Sequence, residues 1–165
     1  MSQEDDTGVR PRKAGPEDLV KTFVDGFNRH DDSVMALFAK NVTWLDPGSL
    51  EPEGGWERMQ NGALSAYKAF PDIRMELSHI MADGNWACFE GVISGTFKGG
   101  KWFVGGRERT LPPTNKYGRL STAWFLRVNA EGLIDYWSFY WDNLQFLANV
   151  GLRPDQIGIA SNHSG

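Results

Sequence analysis

The sequence predicts a single α+β domain, with helices near the N-terminus and an antiparallel sheet after them. Three observations carry this prediction. Apolar residues first recur at helical spacing, as in Leu19, Phe23 and Phe27. Strand-like runs separated by turn residues then fill most of the chain from Ile73 onwards. The chain has 165 residues, 41% of them hydrophobic, which is enough for one compact core but too little for two ordinary domains.

The N-terminal half is predicted to mix helices with one strand. A first helix opens at Gly15-Pro16-Glu17-Asp18, because a proline in the first turn and two acids suit a helix N-terminus. The elements expected next are a short helix over 32–39, a strand over 41–46 ended by Pro47-Gly48, a polar loop over 51–55 and a helix over 56–70. We expect residues 1–14 and 153–165 to be tails of a domain that spans 15–152.

The C-terminal half is predicted to be an antiparallel meander. The expected strands cover 73–81 and 86–97, and a hairpin of two further strands lies within 120–141. Two broken segments stand between them, at 102–104 and 111–115, and we expect Arg107 and Arg109 to lie in a solvated loop. The hairpin turns at Asn129-Ala130-Glu131-Gly132. The hydrophobic period then changes at Asp142, which predicts that this residue is the N-cap of a last helix ending before Gly151.

Composition excludes several classes of function. A net charge of −4 and a pI near 5.4, without a stripe of basic residues, argue against a nucleic-acid partner. Apolar runs are too short to span a bilayer, so we expect no membrane partner and a cytoplasmic location. The single Cys88 excludes an internal disulfide, and no cluster has metal-ligand or phosphate-loop spacing. We therefore expect no cofactor and no bound metal.

Four short signals resemble one known family. They are Phe70-Pro71-Asp72, Gly95-Thr96-Phe97, Pro112-Pro113-Thr114, and Gly132-Leu133-Ile134 leading to Trp141-Asp142. In this order and spacing the chain resembles the SnoaL-like polyketide-cyclase branch of the nuclear-transport-factor-2-like superfamily. The resemblance implies a cone, in which a curved, mostly antiparallel sheet packs on the N-terminal helices around a deep apolar pocket. It also implies a small hydrophobic ligand and a homodimer formed across the sheet. Because relatives cyclise, isomerise, hydrolyse epoxides or only bind, the fold does not settle the function.

The departures from this family concern its catalytic residues. In the aldol cyclases that the chain resembles, an acid/base aspartate stands three residues before the position of Asp142, where this sequence has Phe139. An assisting histidine of the preceding strand corresponds to Trp124. The resemblance therefore does not extend to the aldol machinery.

The remaining candidates for proton transfer are three acids and one histidine. Asp142 is a candidate acid, although an N-cap role explains it equally well. Asp46 precedes Pro47-Gly48 and could equally start a turn. Glu90 interrupts an apolar strand, and alternation puts it on one face with Cys88 and Val92, whichever face lines the pocket. His79 alternates with Leu77 and Met81 and could equally be a hydrogen-bonded structural residue.

Aromatic residues are the positive signal for a binding site. They make up 13% of the chain, and several crowd into the last two strands. Such residues build cores, but they also form walls that suit planar, polycyclic or cationic guests. The expected substrate-binding residues are Trp44, Tyr67, Trp124, Trp137, Phe139, Tyr140 and Trp141.

These observations leave three functional hypotheses. The first is a cofactor-independent cyclase or isomerase that acts on a small hydrophobic, polyketide- or terpenoid-like molecule by carboxylate acid/base chemistry. It requires at least one acid in the cavity with a raised pKa. The second is a non-catalytic binding or carrier protein of the same fold. The third is water addition, which requires two acids bridged by a water, and no Arg-flanked acid pair stands on one inner strand.

Overall fold

The structure, a computed structural model, describes residues 14–45, 53–104 and 107–153. The predicted tail residues 1–13 and 154–165 and the Pro47-Gly48 turn lie outside the described residues. The helices are α1 (Pro16–Asn28), α2 (Trp56–Ala69) and α3 (Asn143–Asn149), and a 3-10 turn covers Asp32–Leu37. The strands are β1 (Phe38–Leu45), β2 (Glu53–Gly54), β3 (Arg74–Asp83), β4 (Trp86–Thr96), β5 (Gly100–Val104), β6 (Arg107–Leu111), β7 (Tyr117–Val128) and β8 (Ile134–Tyr140).

Six strands form one curved, mostly antiparallel sheet in the order β2-β1-β8-β7-β4-β3. The pairing of β1 with β8 is parallel, while the other pairs of this sheet are antiparallel. Strands β5 and β6 make a separate two-stranded hairpin. The predicted α+β class and the cone of sheet and N-terminal helices are confirmed.

The core lies between α1 and the inner face of the sheet. The predicted apolar stripe of α1 is buried, with Val20 fully inaccessible and Leu19, Phe23, Val24 and Phe27 each no more than 7% exposed. Phe23 packs against Trp137 of β8 with ring centroids 4.7 Å apart. Burying side chains of this size stabilises the fold by about 1.5–3 kcal/mol each, and it fixes α1 across the sheet.

Three local predictions are corrected by the structure. The predicted second helix is a 3-10 turn that ends at Leu37, and Phe38 and Ala39 already belong to β1. The predicted loop 51–55 contains β2, whose Glu53 and Gly54 pair with Trp44 and Thr43. The region around Arg107 and Arg109, which the sequence suggests is a solvated loop, forms β6. In each case hydrogen bonding to a neighbouring strand overrides a weak local hydrophobic pattern.

Candidate functional site

A cavity of about 150 Å³ lies between the helices and the inner face of the sheet. Helix α1 supplies Phe23 and Phe27, and α2 supplies the small residues Gly62, Ala63 and Ala66. The short side chains of Ala63 and Ala66 leave room beside the sheet, whereas Gly62 lets the Trp44 indole pack closely against the helix. The surface of the cavity is almost entirely apolar.

Aromatic rings from the sheet form the opposite wall. Trp124 and Phe139 are 4.9 Å apart between ring centroids, and Phe139 and Trp141 are 4.7 Å apart. The predicted substrate-binding residues that line the cavity are Trp44, Tyr67, Trp124, Trp137, Phe139 and Trp141. Tyr140 does not, because strand alternation turns it to the outer face of the sheet, where it is 46% exposed and packs edge-on against Phe125.

Two indole N–H groups of this wall are already hydrogen-bonded within the protein. The Trp124 Nε1 donates to Thr122 Oγ1 at 2.7 Å, and that hydroxyl donates to the Gly91 carbonyl at 3.2 Å. The Trp141 Nε1 donates to Asn143 Oδ1 at 2.8 Å. These bonds fix the ring planes, so both side chains present flat apolar surfaces to a ligand.

Tyr67 of α2 brings a hydroxyl group to this wall. The hydroxyl is buried and has no hydrogen-bond partner among the residues that the structure describes. Burial, followed by the negative charges of Asp32 and Asp31, raises the pKa of Tyr67 to about 12. The group therefore stays protonated at neutral pH, and an unsatisfied buried O–H gains free energy from any acceptor that a ligand brings.

Asp142 is an N-cap, as the sequence predicts. Its Oδ1 accepts hydrogen bonds from the N–H groups of Leu144 at 2.8 Å and Gln145 at 3.1 Å. The carboxylate is exposed, and Asp142 is not part of the cavity wall, although its neighbour Trp141 is. The observed geometry thus accounts for Asp142 by its role at the start of α3.

Glu90 and His79 lie on the outer face of the sheet. They are cross-strand partners, with His79 Nδ1 3.5 Å from Glu90 Oε2 and both side chains largely exposed. A bulge between Leu77 and His79 changes the phase of β3. Consequently Leu77 packs against the core while His79 points outward with Met81, which corrects the expectation that these three residues share a face.

Asp46, the third predicted acid, lies outside the described residues. Among the residues that are described, the cavity wall contains no Asp, Glu or His. Within the same ranges, no group of three or more His, Cys, Asp or Glu residues could hold a metal ion. None of the described helices is long and apolar enough to cross a membrane.

Sequence reasoning missed several residues of the wall. They are Phe23, Phe27, Phe38, Met59, Phe70 and Phe146. Their helical and strand periodicity predicts burial correctly, but burial against a cavity and burial against other side chains produce the same pattern. The signal that could have separated them is the run Gly62-Ala63 on α2, where small residues leave space next to large ones.

Comparison with known proteins identifies the family. The model of the SnoaL-like domain matches residues 20–137, so this chain belongs to the SnoaL-like family. No curated protein matches the chain significantly in sequence.

Three solved structures illustrate the similarity in fold. AclR, a proposed hydroxylase of Streptomyces galilaeus, is 21% identical with a TM-score of 0.68, over 85% of this chain and 83% of its own. IdmH, a proposed polyketide cyclase of Streptomyces antibioticus, is 22% identical with a TM-score of 0.68, over 84% of this chain and 100% of its own. A proposed SnoaL-like polyketide cyclase of Jannaschia is 14% identical with a TM-score of 0.69, over 88% of this chain and 99% of its own. These similarities establish the fold, which does not by itself determine the reaction.

Proposed function

We propose that this protein is a cofactor-independent cyclase or isomerase that acts on a small hydrophobic, polyketide- or terpenoid-like substrate carrying a ketone. One observation carries the proposal: the aromatic cavity is lined by Tyr67, whose buried hydroxyl has no hydrogen-bond partner in the described part of the chain. The family, and the proposed activity of IdmH, support a reaction of this class. The ketone oxygen would accept the hydrogen bond that Tyr67 leaves unmade.

The proposed reaction follows from the hydrogen bond between the Tyr67 hydroxyl and the ketone oxygen of the substrate. A base removes the proton on the carbon next to the carbonyl, and the electron pair of that C–H bond moves onto the oxygen as an enolate. The Tyr67 hydroxyl donates to this oxygen more strongly as the charge develops, and the apolar surroundings weaken competition from water. In a substrate with a neighbouring carbon–carbon double bond, the resulting dienolate takes the proton back from the base at its γ carbon, which isomerises the molecule. Alternatively, the enolate carbon attacks a second carbonyl of the same molecule, which closes a ring, and the alkoxide that forms takes the proton back from the base.

The base in this proposal is Asp46. The sequence places it directly after β1 and two residues beyond Trp44, whose indole forms part of the cavity wall. Asp142 and Glu90 are less suited, because the first caps α3 and the second lies on the outer face. The proposal requires that the Asp46 carboxylate borders the apolar cavity, where loss of hydration would raise its pKa and make it a better base near neutral pH.

Enolisation can be tested without knowing the natural substrate. The protein is incubated with 2-tetralone in deuterium oxide, and proton NMR follows exchange of the acidic C–H groups. We expect exchange faster than in buffer alone. Tyr67→Phe should slow the protein-catalysed rate by about a hundredfold, the loss typical of removing one donor to an oxyanion, and Asp46→Asn by about a hundredfold or more.

Two exposed acids provide matched controls. Glu90→Gln and Asp142→Asn each remove one negative charge outside the cavity wall, so both should exchange at the wild-type rate. If Glu90→Gln or Asp142→Asn abolished exchange while Asp46→Asn did not, the assignment of the base would be wrong. If the wild type gave no exchange above buffer, the proposed reaction would fail.

The second candidate function is binding without catalysis. It is favoured by the composition of the wall, since none of the described lining residues is an acid or a histidine. A carrier of this kind should retain 2-tetralone without exchanging its protons. Titration followed by the indole N–H signals of the wall would detect such binding and thereby separate a carrier from a protein with no ligand site.

A further inference from the structure

His30 is the residue next to Tyr67 that the proposed function leaves unexplained. It follows α1 in the left-handed backbone conformation, with φ of 54°. This conformation is uncommon outside glycine, although His, Asn and Asp adopt it more readily than other residues. Backbone bonds from His30 N to Phe27 O at 3.1 Å and from Asp31 N to Gly26 O at 3.0 Å hold the turn.

The turn brings the imidazole onto the face of the Tyr67 ring. The two ring centroids are 4.6 Å apart with an interplanar angle of 19°, so the rings are stacked. His30 Nε2 lies 3.1 Å from the Ile73 carbonyl. Because a carbonyl only accepts, this nitrogen carries the proton, and the bond fixes the plane of the imidazole.

Tyr67 depends on its neighbours for orientation, because none of the described residues forms a hydrogen bond that would anchor its hydroxyl. Phe27 contacts the Tyr67 ring at a tilt, with centroids 5.4 Å apart, and His30 stacks on it. Phe27 also lines the cavity, whereas His30 does not. His30 therefore contacts Tyr67 from outside the cavity wall and does not itself border the ligand space.

We propose that His30 is a positioning residue, whose stacked ring holds the Tyr67 hydroxyl in the orientation that meets a ligand carbonyl. This inference rests on the proposed function, because it assumes that Tyr67 recognises an acceptor oxygen. His30 has no direct contact with the ligand. Removing its ring should weaken recognition of the carbonyl while leaving the apolar part of binding unchanged.

Acetophenone and ethylbenzene test this separation, because both carry a two-carbon side chain on a phenyl ring and only acetophenone has a carbonyl oxygen on that side chain. Dissociation constants for both are measured by NMR titration of the full chain. The ratio of the ethylbenzene to the acetophenone dissociation constant should be about threefold to tenfold higher for the wild type than for Tyr67→Phe, the effect of one neutral hydrogen bond, and this excess is the preference for acetophenone. Tyr67→Phe should abolish this preference and bind ethylbenzene as the wild type does.

Two substitutions of His30 then isolate its ring. His30→Asn tolerates the left-handed backbone but has no ring, so we expect it to lose the preference for acetophenone while ethylbenzene affinity is kept. His30→Phe keeps a ring for stacking and should retain most of the preference. Circular dichroism confirms that each variant is folded, and the Asn variant decides the test by itself if the Phe variant does not fold.

The outcomes separate the two proposals. If His30→Asn kept the full preference, or if folded His30→Phe lost it as completely as His30→Asn, the positioning role would be overturned while Tyr67 recognition stood. If Tyr67→Phe bound the two probes in the same ratio as the wild type does, Tyr67 recognition and the role of His30 would fall together. If the wild type bound neither probe, the cavity would not be a ligand site for molecules of this class.

Discussion

Tyr67 carries a hydroxyl whose burial is unfavourable in the ligand-free protein. An unsatisfied buried polar group costs about 1–3 kcal/mol relative to one that is hydrated or bonded. Tyr67→Phe removes this group and keeps the ring, so we expect the free energy of unfolding at pH 7 to rise by about 1 kcal/mol. Urea denaturation measures the change. Tyr140→Phe is the matched control, because that hydroxyl belongs to an exposed ring and its removal should change stability little. A destabilised Tyr67→Phe variant would indicate that the hydroxyl has a partner in the folded state.

The same residue should affect stability in alkaline solution. Its pKa is about 12 in the folded protein and about 10 in the unfolded chain. Between these values the unfolded chain loses the proton while the folded protein keeps it, so the wild type becomes less stable as pH rises above 10. The advantage of Tyr67→Phe over the wild type should therefore be larger at pH 10.5 than at pH 7. Urea midpoints of both proteins at the two pH values measure this, and an unchanged difference would contradict the raised pKa.

At the scale of elements, substitutions of Asp142 distinguish a structural role, as the N-cap of α3, from a catalytic role. Asn caps a helix about as well as Asp, whereas Ala does not. We expect Asp142→Ala to lower the free energy of unfolding by about 1 kcal/mol and Asp142→Asn to leave it nearly unchanged. Thermal or urea unfolding measures both. A loss of proton-exchange activity in folded Asp142→Asn would show instead that the charge takes part in the reaction.

Gly91 of β4 allows the backbone of β3 to approach closely beside the bulge. A Cβ atom at this position would lie 2.7 Å from the backbone oxygen of Glu76, and a backbone atom cannot move aside as a side chain can. Gly91→Ala should therefore destabilise the protein by about 1–3 kcal/mol, as overpacking does. Gly54→Ala is the control, because no atom of the described residues lies within 4 Å of a Cβ placed at that position. Equal unfolding midpoints for the two variants would contradict the close approach.

Helices and strands whose apolar residues recur at a regular spacing were predictable from the sequence. Strands that are stabilised only by hydrogen bonds to a neighbouring strand were not. The stripe of α1, the hairpin of β7 and β8, and the capped start of α3 follow from local sequence and agree with the structure. Strand β6 begins Arg107-Glu108-Arg109, which has no apolar alternation, and its partner is β5. Strand β2 has only two residues. Such strands form because a neighbouring edge supplies hydrogen bonds, and a local pattern does not contain that information.

The candidate site was predictable to a similar extent. Aromatic composition identified most of the sheet residues that line the cavity, because large rings on alternate positions of inner strands share one face. The side on which Glu90 and His79 lie depended on the register of β3 against β4, including the bulge beside Ser78. The missing partner of the Tyr67 hydroxyl depends on packing among α1, α2 and the 3-10 turn. These are tertiary relations, so the sequence alone left them open.

At the scale of the whole molecule, the sheet separates two surfaces. Its inner face surrounds the cavity, and its outer face carries apolar side chains that are exposed in the single chain. Met81, Cys88 and Phe125 are cross-strand neighbours in one row, and Met81 and Phe125 are 67% and 40% exposed. Tyr140 packs beside Phe125 on the same face. A contiguous apolar patch of this kind is typical of an interaction surface.

We expect this outer face to join two copies of the chain in a homodimer. A twofold axis places the same patch of each copy against the other, so one apolar row can bury itself without a different partner. Sedimentation equilibrium at micromolar concentration should give twice the chain mass of 18.5 kDa. Phe125→Glu puts a charge in the middle of the row and should shift the protein to monomer while it stays folded. Leu144→Glu is the matched control, because Leu144 is 64% exposed and belongs to α3 and not to that row, so this substitution should leave the dimer intact. A wild type that sediments as a monomer, or a dimer that Phe125→Glu does not weaken, would exclude this face as the interface.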